Sequence, residues 1–290
     1  MKVLLTGSSG LLGQALLQAM QARGYTVQAL QRDAIWAATP QQLCDMVSGY
    51  ALLIHAAANT HVEQCEQQPD TCYRDNLLLT ELLASAASAH AMRMVFVSST
   101  GVYGSAQQEP YCEYHAVHPT THHHRSKHLA EQAVLRSNPH NLIVRTGWLF
   151  GGRFDNPKNF VARRLEELQR AAQTGQAVLS DAEQFGSPSS CNDVALRLLE
   201  LAEQGRSGVY NCVNTGQANR HAYVHEIGRL ANINAEVLPG AASGFGRIAK
   251  VSFNEAALNW KMNALGLQPM PDWRDALAVT VQRLLADQTT

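Results

Sequence analysis

The sequence predicts an α/β protein in which a doubly wound parallel sheet is followed by a smaller C-terminal domain. In the first half, short apolar runs alternate with segments of helical periodicity, as in parallel strands joined by crossover helices. Three glycines, Gly7, Gly10 and Gly13, directly follow the first apolar run. After Gly151 and Gly152 the alternation breaks. We therefore expect a second, interrupted domain from that point.

In the first half the predicted elements follow one another closely. Residues 3–6 predict the first strand, and apolar residues at helical spacing then predict a helix that ends near Gly24. Thr39 and Gln42 flank Pro40 in the pattern of a capping box and predict a helix start. The remaining predicted strands cover residues 25–30, 34–36, 52–56, 94–98 and 142–146, and further helices cover residues 74–90 and 126–135.

The second half predicts fewer and more widely spaced elements. Helices are expected at residues 159–172, 192–204 and 273–285, and strands at 177–179 and 208–213, with a loop at 185–188. We predict that residues 1–150 form the first domain and that the helix at 192–204 returns to it. Residues 151–191 and 205–290 then form the smaller substrate domain.

Composition excludes several classes of partner. The 290 residues include 23 Lys or Arg and 24 Asp or Glu, so the formal net charge is −1. Without a basic excess, neither nucleic acid nor a membrane is expected as a partner. No stretch approaches the roughly 18 apolar residues of a membrane span. The six cysteines form no Cys-x-x-Cys pair, which favours a reducing cytoplasm.

The glycine-rich segment lies where Rossmann-type sheets bind phosphate. Glycines there let the chain turn tightly and let backbone N–H groups approach a pyrophosphate, while the helix N-terminus favours negative charge. The Gly-x-x-Gly-x-x-Gly spacing is one residue wider at its start than the dehydrogenase fingerprint, and a purely structural turn is the alternative. We predict a dinucleotide site formed by Gly7, Ser9, Gly10, Leu11, Leu12 and Gly13.

The end of the second strand favours NADP over NAD. Gln31 stands where an acidic residue would bind the adenosine ribose of NAD. Arg32 follows it and offers a guanidinium to a 2′-phosphate, the alternative being a solvated arginine.

Several motifs, in the correct order, carry a family resemblance. They include His55-Ala56-Ala57-Ala58, Val97-Ser98-Ser99-Thr100-Gly101-Val102-Tyr103-Gly104, Arg145-Thr146-Gly147-Trp148, Asn159-Phe160 and Gln184-Phe185-Gly186-Ser187-Pro188. Together they resemble the extended branch of the short-chain dehydrogenase/reductase superfamily, and within it the dTDP-4-dehydrorhamnose reductase family. The resemblance covers essentially the whole chain.

The resemblance implies roles for individual residues. Ser99 matches the serine or threonine that binds the substrate carbonyl, and Lys127 matches the lysine that holds the nicotinamide ribose. Asn76 matches an asparagine on the helix behind the site, and residues 56–58 are expected to contact the cofactor.

His123 departs from the family pattern, because the catalytic tyrosine stands four residues before the lysine and this chain has His123 there. A histidine has an unperturbed pKa of about 6.5 and can serve as acid or base. The neighbouring positive charges of Lys127 and oxidised nicotinamide would disfavour its protonated form. Two interpretations stay open: His123 transfers the proton, or the site has lost reduction and retains binding.

Three further residues are candidates for the substrate site. Thr100 follows the catalytic serine, Trp148 follows a predicted strand, and Arg247 matches an arginine that the family uses near the substrate diphosphate. The segment after Arg247 departs from the family's Arg-Pro-x-Asn-Ser run, so a solvated arginine is the alternative.

A cluster of histidines precedes and includes the lysine helix. Six of the 12 histidines lie between His115 and His128. Three consecutive histidines on one helical turn point in different directions, so we expect a histidine cluster without a metal.

The expected function is NADPH-dependent reduction of a keto group on a nucleotide sugar or a related polar metabolite. A non-catalytic, dinucleotide-binding regulatory protein is the first alternative, and an epimerase or dehydratase of the same branch is the second. The oligomeric state is open, with a homodimer as one alternative.

Overall fold

Strands and helices alternate along most of the chain in the computed structural model, which describes residues 1–288. The strands are β1 (Lys2–Thr6), β2 (Thr26–Leu30), β3 (Leu52–His55), β4 (Arg93–Ser99), β5 (Leu142–Thr146), β6 (Leu149–Phe150), β7 (Val178–Asp181), β8 (Phe185–Gly186), β9 (Ser189–Ser190), β10 (Gly208–Asn211), β11 (Ala218–Asn219) and β12 (Val237–Gly240). The helices are α1 (Leu11–Ala22), α2 (Arg32–Ala37), α3 (Pro40–Val47), α4 (Val62–Gln67), α5 (Pro69–Tyr73), α6 (Leu79–Ala89), α7 (His122–Ser137), α8 (Phe160–Thr174), α9 (Cys191–Glu203), α10 (Arg220–Leu230), α11 (Trp260–Ala264) and α12 (Trp273–Gln288).

Six strands form a central sheet in the order β10-β5-β4-β3-β1-β2, and all neighbours in it are parallel. From β1 the chain goes to β2 at one edge and then returns to β3 on the other side, so the direction of strand addition reverses there. A sheet of this kind opens a crevice at the carboxyl ends of the strands where the order reverses. The predicted doubly wound α/β class is confirmed.

Apolar cores cover both faces of this sheet. On one face α1 and α9 pack through residues such as Leu16 and Leu198. On the other face α3, α6 and α7 contribute Leu43, Leu83 and Val134. Because the central strands are buried on both faces, they appear in the sequence as continuous apolar runs.

The predicted strand at residues 34–36 is wrong, because this segment lies in helix α2. The carbonyl of Gln31 accepts a hydrogen bond from the N–H of Ile35 at 3.2 Å, which turns the chain into a helix directly after β2. Ile35 is buried in the core, while Trp36 packs under the guanidinium of Arg74. The segment therefore buries one side chain, Ile35, from a short helix. Strand β2 remains the edge strand of the sheet.

Helix starts follow the capping chemistry of the sequence. Thr39 and Gln42 form the predicted capping box, with both reciprocal hydrogen bonds present. Helix α7 begins at His122, before the predicted start at residue 126, because the Thr121 hydroxyl caps it by accepting the N–H of His124. The predicted helix at 74–90 begins with a π-helical turn, Arg74–Leu78, and continues as α6.

The C-terminal half has a core of its own, in which α8, α10 and α12 surround Tyr223 and Trp273. Pairs of short strands complete it, with β12 parallel to β7 and β11 antiparallel to β8. Strand β10, expected in the second domain, instead pairs with β5 in the central sheet, and α9 packs on α1. Met262 and Met270 also belong to the first core. The chain therefore returns to the sheet twice after residue 151.

Candidate active site

The glycine-rich loop joins β1 to α1 and touches the end of β3. Gly7 has a φ of +71°, and a Cβ there would lie 2.6 Å from the amide nitrogen of Ala57. A Cβ at Gly13 would lie 1.9 Å from the carbonyl oxygen of Gly7. Close backbone packing therefore requires both glycines.

Gly10 differs from these two glycines. A Cβ at Gly10 would meet only the carbonyl oxygen of Gly7, at 3.3 Å. Gly10 is the N-cap of α1 and offers no side-chain cap, so the first N–H groups of this 12-residue helix have no intrahelical partner. The loop and helix end thus fit a pyrophosphate, since open space faces unpaired N–H donors.

A buried hydrogen-bond chain connects this loop to the helix behind the site. The N–H of Ala57 donates to Thr6 Oγ1 at 3.3 Å, and Thr6 Oγ1 lies 2.6 Å from His55 Nδ1. His55 Nε2 lies 3.0 Å from Thr80 Oγ1, whose hydroxyl donates to the carbonyl of Asn76 at 2.6 Å. Thr80 can then only accept from His55, so Nε2 of His55 carries the proton and Nδ1 accepts from Thr6. Burial, with a smaller effect of Lys127, lowers the pKa of His55 to about 3.

Asn76 lies in the π-helical turn and holds the segment after β3. Its Oδ1 accepts the N–H of Asn59 at 2.7 Å, and its Nδ2 donates to the carbonyl of Asn59 at 3.2 Å and to Ser126 Oγ at 3.1 Å. A π-helical turn is rare and occurs frequently at functional sites. Asn76 thereby fixes the Asn59 carbonyl against helix α7.

The backbone carbonyl of Asn59 determines which ring nitrogen of His123 carries the hydrogen. Its oxygen lies 3.0 Å from His123 Nδ1, and a carbonyl only accepts, so Nδ1 carries the hydrogen. Burial, followed by His124 and Lys127, holds the pKa of His123 well below its ordinary value. The neutral ring therefore leaves Nε2 as an acceptor.

Lys127 lies one helical turn after His123 and is 3% exposed. Its Nζ lies 3.9 Å from the centre of the Phe96 ring on β4. Burial lowers its pKa to about 7, although Glu131 and Cys72 act in the opposite direction. In its charged form the ammonium is attracted to the negative face of this ring.

Ser99 ends β4, and its Oγ accepts the N–H of Gly101 at 3.1 Å. The hydroxyl hydrogen is therefore available to a substrate oxygen. The predicted substrate residue Thr100 is buried, and a Cβ on Gly147 would lie 2.4 Å from its Oγ1.

A cavity of about 320 Å³ opens between the two halves of the chain, and His124 of helix α7 lines it. Three arginines line it, namely Arg164, Arg220 and Arg247. Phe160 and Phe245 line it too, each with a guanidinium above its ring. Such a cavity has the cations for a diphosphate and aromatic faces for a flat ring.

Trp148 stands behind this cavity and does not line it. The guanidinium of Arg220 lies 3.4 Å from the centre of the indole ring. The indole Nε1 donates to Glu255 Oε2 at 3.0 Å, and a Cβ at Gly186 would lie 2.2 Å from the ring. Trp148 is thus arranged to support Arg220 and Glu255.

The cavity-lining Arg247 is held within the C-terminal half. Its Nη1 lies 3.2 Å from Asp181 Oδ2 and donates to Gln184 Oε1 at 3.4 Å. The next two residues, Ile248 and Ala249, donate their backbone N–H groups to Glu63 Oε2 at 2.8 and 3.1 Å. A carboxylate from α4 therefore ties this loop to the first half.

Gln31 and Arg32 directly follow β2, at its carboxyl end. The Arg32 side chain is 56% exposed and lies 3.7 Å from Asp75, which neighbours Asn76. The guanidinium is accessible to a ligand at this sheet edge.

His124 is the functional candidate that sequence analysis missed. Its imidazole lines the cavity and occupies the place of a side chain on Gly101, where a Cβ would lie 2.2 Å from Nε2. In the sequence it is one member of a histidine run, and only the contact with Gly101 distinguishes it. Glu255 and Arg220 were also missed, because isolated charged residues of the C-terminal half show no motif.

Each of the three consecutive histidines has different partners, as expected: Glu66 and Tyr73 for His122, Asn59 for His123, and Thr121 for His124.

No helix within residues 1–288 is long and apolar enough to cross a membrane.

The fold and the arrangement of Ser99, Lys127 and the glycine loop define a protein of the extended short-chain dehydrogenase/reductase class. The family model described as the RmlD substrate binding domain matches residues 1–286, and the chain belongs to this family. The family resemblance carried by the sequence motifs is confirmed.

Relatives with assigned names are similar over nearly the whole chain. The chain is 30% identical to the dTDP-4-dehydrorhamnose reductase of Mycobacterium tuberculosis, over 97% of this chain and 92% of that protein. It is 26% identical to the solved dTDP-4-dehydrorhamnose reductase of Clostridium acetobutylicum, with a TM-score of 0.91 over 98% of this chain and 100% of that one. The Bacillus anthracis enzyme, solved in complex with NADP, is 26% identical with a TM-score of 0.88, over 97% of this chain and 99% of that one.

Proposed function

We propose that this protein reduces a keto group on a sugar carried by a nucleoside diphosphate, with NADPH as the reductant. The observation that carries the proposal is a cavity with three guanidinium groups whose wall, at His124, packs against the loop of Ser99. His124 connects them, because it lines the cavity and packs against Gly101, whose N–H holds Ser99. The names of the relatives supply the substrate class, and the NADP complex supports the cofactor.

The cofactor would be held by the backbone around the crevice. Gly10 leaves space for the pyrophosphate in front of α1, and Ser9, Leu11 and Leu12 complete the loop. Ala56 and Ala57 lie against Gly7, and they would contact the cofactor together with Ala58. Lys127 would bind the nicotinamide ribose. When bound, NADPH supplies a hydride to the substrate.

The chain's own residues then act on the substrate oxygen and the diphosphate. Ser99 donates its free hydroxyl hydrogen to the carbonyl oxygen and orients it. The positive charge of Lys127 favours the negative charge that develops there. Arg220 and Arg247 neutralise the diphosphate and place the sugar near Ser99.

Arg32 is proposed to select NADPH by binding its 2′-phosphate. An Arg32→Ala variant should lose about 1.5 to 3 kcal/mol of NADPH affinity, the value of a hydrogen bond between charged groups. NADH affinity should stay constant, because NADH lacks that phosphate. Fluorescence titration of both cofactors measures this, and equal affinities of the parent for the two would contradict it.

The proposed architecture has a substrate domain at residues 151–191 and 205–290, apart from β10 and the methionines that enter the first core. A cytoplasmic location remains part of the proposal. A homodimer is also considered, and light scattering of the purified protein tests it.

The decisive test is NADPH oxidation by the purified protein with dTDP-4-dehydrorhamnose and related keto sugar nucleotides. Turnover that disappears in Ser99→Ala and Lys127→Met supports the proposal. If the parent binds NADPH but turns over no member of the panel, the regulatory alternative replaces it. Interconversion of sugar epimers without net NADPH oxidation would instead indicate an epimerase.

A further inference from the structure

Two guanidinium groups share one buried carboxylate near the end of β2. Arg32 Nη1 lies 3.7 Å from Asp75 Oδ2, and Arg74 Nε lies 3.4 Å from Asp75 Oδ1. The Asp75 side chain is 7% exposed, whereas those of Arg32 and Arg74 are 56% and 57% exposed. The carboxylate therefore lies beneath the two arginines and holds their charged groups on the same part of the surface.

Both arginines keep their hydrogen-bond donors free. Within residues 1–288 the two guanidinium groups form ion pairs but donate no hydrogen bond, and Asp75 Oδ1 accepts none. In the buried pair of Arg145 and Glu131, by contrast, the guanidinium donates to both carboxylate oxygens, at 2.8 and 2.6 Å. Such a bidentate pair occupies the planar fork of the guanidinium. Arg32 and Arg74 still offer theirs to a ligand.

The indole ring of Trp36 supports Arg74. The guanidinium carbon of Arg74 lies 5.1 Å from the centre of this ring, within the range of a cation–π contact. Helix α2, which carries Trp36, has six residues and begins at Arg32. One short helix therefore supplies the first arginine and the ring that holds the second.

This cluster lies at the predicted adenosine end of the cofactor site. Strands β2 and β3 flank β1, which leads into the glycine loop. Arg32 directly follows β2, and Asp75 precedes Asn76, which binds Asn59 in the segment after β3. In sheets of this kind the adenosine ribose binds at the end of the second strand. Both guanidinium groups thus lie where a 2′-phosphate on that ribose would be bound.

We propose that Arg74 binds the 2′-phosphate of NADPH together with Arg32 and is a second determinant of cofactor choice, a role that rests on the proposed function. A phosphate monoester carries nearly two negative charges at pH 7. Because Asp75 offsets one of the two guanidinium charges, the cluster needs both arginines to stay positive. Asp33, 3.9 Å from Arg32, is 97% exposed, so solvent and salt screen its charge.

The test is fluorescence titration of NADPH and NADH with variants of the full chain. Arg74→Ala should lower NADPH affinity about tenfold or more, as expected for a lost hydrogen bond to a charged group, and should leave NADH affinity unchanged. The double variant with Arg32→Ala should bind the two cofactors equally. Arg74→Lys keeps a charge beside Asp75 but has no planar fork, so its NADPH affinity should lie between those of the parent and Arg74→Ala.

Arg274 is the matched control, because its surroundings are similar. It lies 3.9 Å from Asp272 and 4.5 Å from the centre of the Trp273 ring, but it belongs to α12 in the C-terminal half. Arg274→Ala should keep both affinities at the parental value. Adenosine 2′,5′-bisphosphate, which has no nicotinamide, should lose affinity in Arg74→Ala as NADPH does, whereas adenosine 5′-monophosphate should not.

Three results would overturn this role of Arg74. A preference for NADPH that is lost in Arg32→Ala but kept in Arg74→Ala would leave Arg74 only as a partner of Asp75. Equal losses of NADPH and NADH affinity in Arg74→Ala would indicate a structural effect instead. A parent that binds both cofactors equally would refute cofactor selection by Arg32, and the role of Arg74 with it. Since all of these readouts are affinities, failure of the proposed reduction is recognised separately, by absent turnover.

Discussion

Gly101 has no room for a side chain, because the imidazole of His124 occupies the place of its Cβ at 2.2 Å. Gly101→Ala should therefore lower the free energy of unfolding by about 1 to 3 kcal/mol, the usual cost of overpacking. In a His124→Ala background the same substitution should cost much less. Urea unfolding of the four proteins in a double-mutant cycle measures the coupling.

The control for this cycle is a glycine with open surroundings. A Cβ at Gly244 would have no heavy atom within 4 Å, and the backbone there has an ordinary φ, so Gly244→Ala should be nearly neutral in both backgrounds. Equal costs of Gly101→Ala with and without the imidazole would contradict this packing of Gly101 against His124.

At the residue scale, motifs located Ser99, Lys127 and Asn76 but could not assign protons. The direction of the His123 proton depends on Asn59, and that of His124 on Thr121. The Asn59 carbonyl approaches from the segment after β3, which helical periodicity cannot show. A histidine run in a sequence therefore does not distinguish a donor from an acceptor.

The buried chain through His55 links β1, β3 and α6, and it makes stability depend on pH. The pKa of His55 is about 3 in the folded protein, so its ring stays neutral there. The unfolded chain binds the proton below about pH 6.5, and the free energy of unfolding should fall as the pH drops from there towards 3. The full effect is on the order of 5 kcal/mol.

Chemical unfolding at several pH values measures this dependence. His55→Gln should be less stable than the parent near pH 7, because Thr6 loses its acceptor. It should also lose less stability on acidification, since it has no ring to protonate. Parallel pH profiles for parent and variant would show that other groups cause the acid sensitivity.

Helix α7 is joined to β5 by a buried ion pair. Arg145 donates to both carboxylate oxygens of Glu131, at 2.8 and 2.6 Å, and also lies over the ring of Tyr103. Glu131→Ala should cost about 3 to 5 kcal/mol, because the guanidinium is left buried without its partner. Thermal unfolding measures this cost.

His128 supplies the matched control for that prediction. It lies 3.4 Å from the same carboxylate but is partly exposed. His128→Ala should change stability by less than about 1 kcal/mol. Equal effects of the two substitutions would contradict a dominant role of the buried pair.

At the element scale, capping chemistry and apolar runs were reliable guides, and short ambiguous segments were not. Thr39 and Gln42 correctly marked the start of α3. Residues 34–36 could form a strand or a helix, and only the hydrogen bond from Ile35 to Gln31 decides it. Helices α4, α5, α10 and α11 were not predicted, since α4, α5 and α11 are very short and α10 follows a two-residue strand.

At the scale of the whole molecule, Glu63 links the two halves at the rim of the cavity. Removing its carboxylate releases the N–H groups of Ile248 and Ala249, next to Arg247. Glu63→Ala should therefore raise KM for the nucleotide sugar about tenfold, because the loss of one charge-assisted hydrogen bond or more has an effect of this size. NADPH affinity should not change, because the glycine loop lies elsewhere.

Glu183 allows a matched comparison. It accepts the N–H of Ala242 at 2.9 Å in the same way, but both residues belong to the C-terminal half. Glu183→Ala should leave KM closer to the parental value. A larger effect of Glu183→Ala than of Glu63→Ala would show that the link between the halves does not control binding.

The overall class and the chain's return through α9 followed from the sequence, but the membership of β10 in the central sheet did not. Residues 208–213 were expected as a strand, yet their partner β5 lies far away in sequence. Long-range pairing leaves no local pattern in the sequence. The predicted boundary at residue 205 therefore separated β10 from the sheet that contains its partner β5.

The contact between Gly101 and His124 also constrains how this sequence can change over generations. While the imidazole is present, any side chain at position 101 meets it, so substitutions there should destabilise the protein. If position 124 first becomes small, position 101 is free to vary, and a side chain fixed there would then obstruct the return of histidine. The order of two mutations, rather than their sum, therefore decides which descendants of this protein remain accessible.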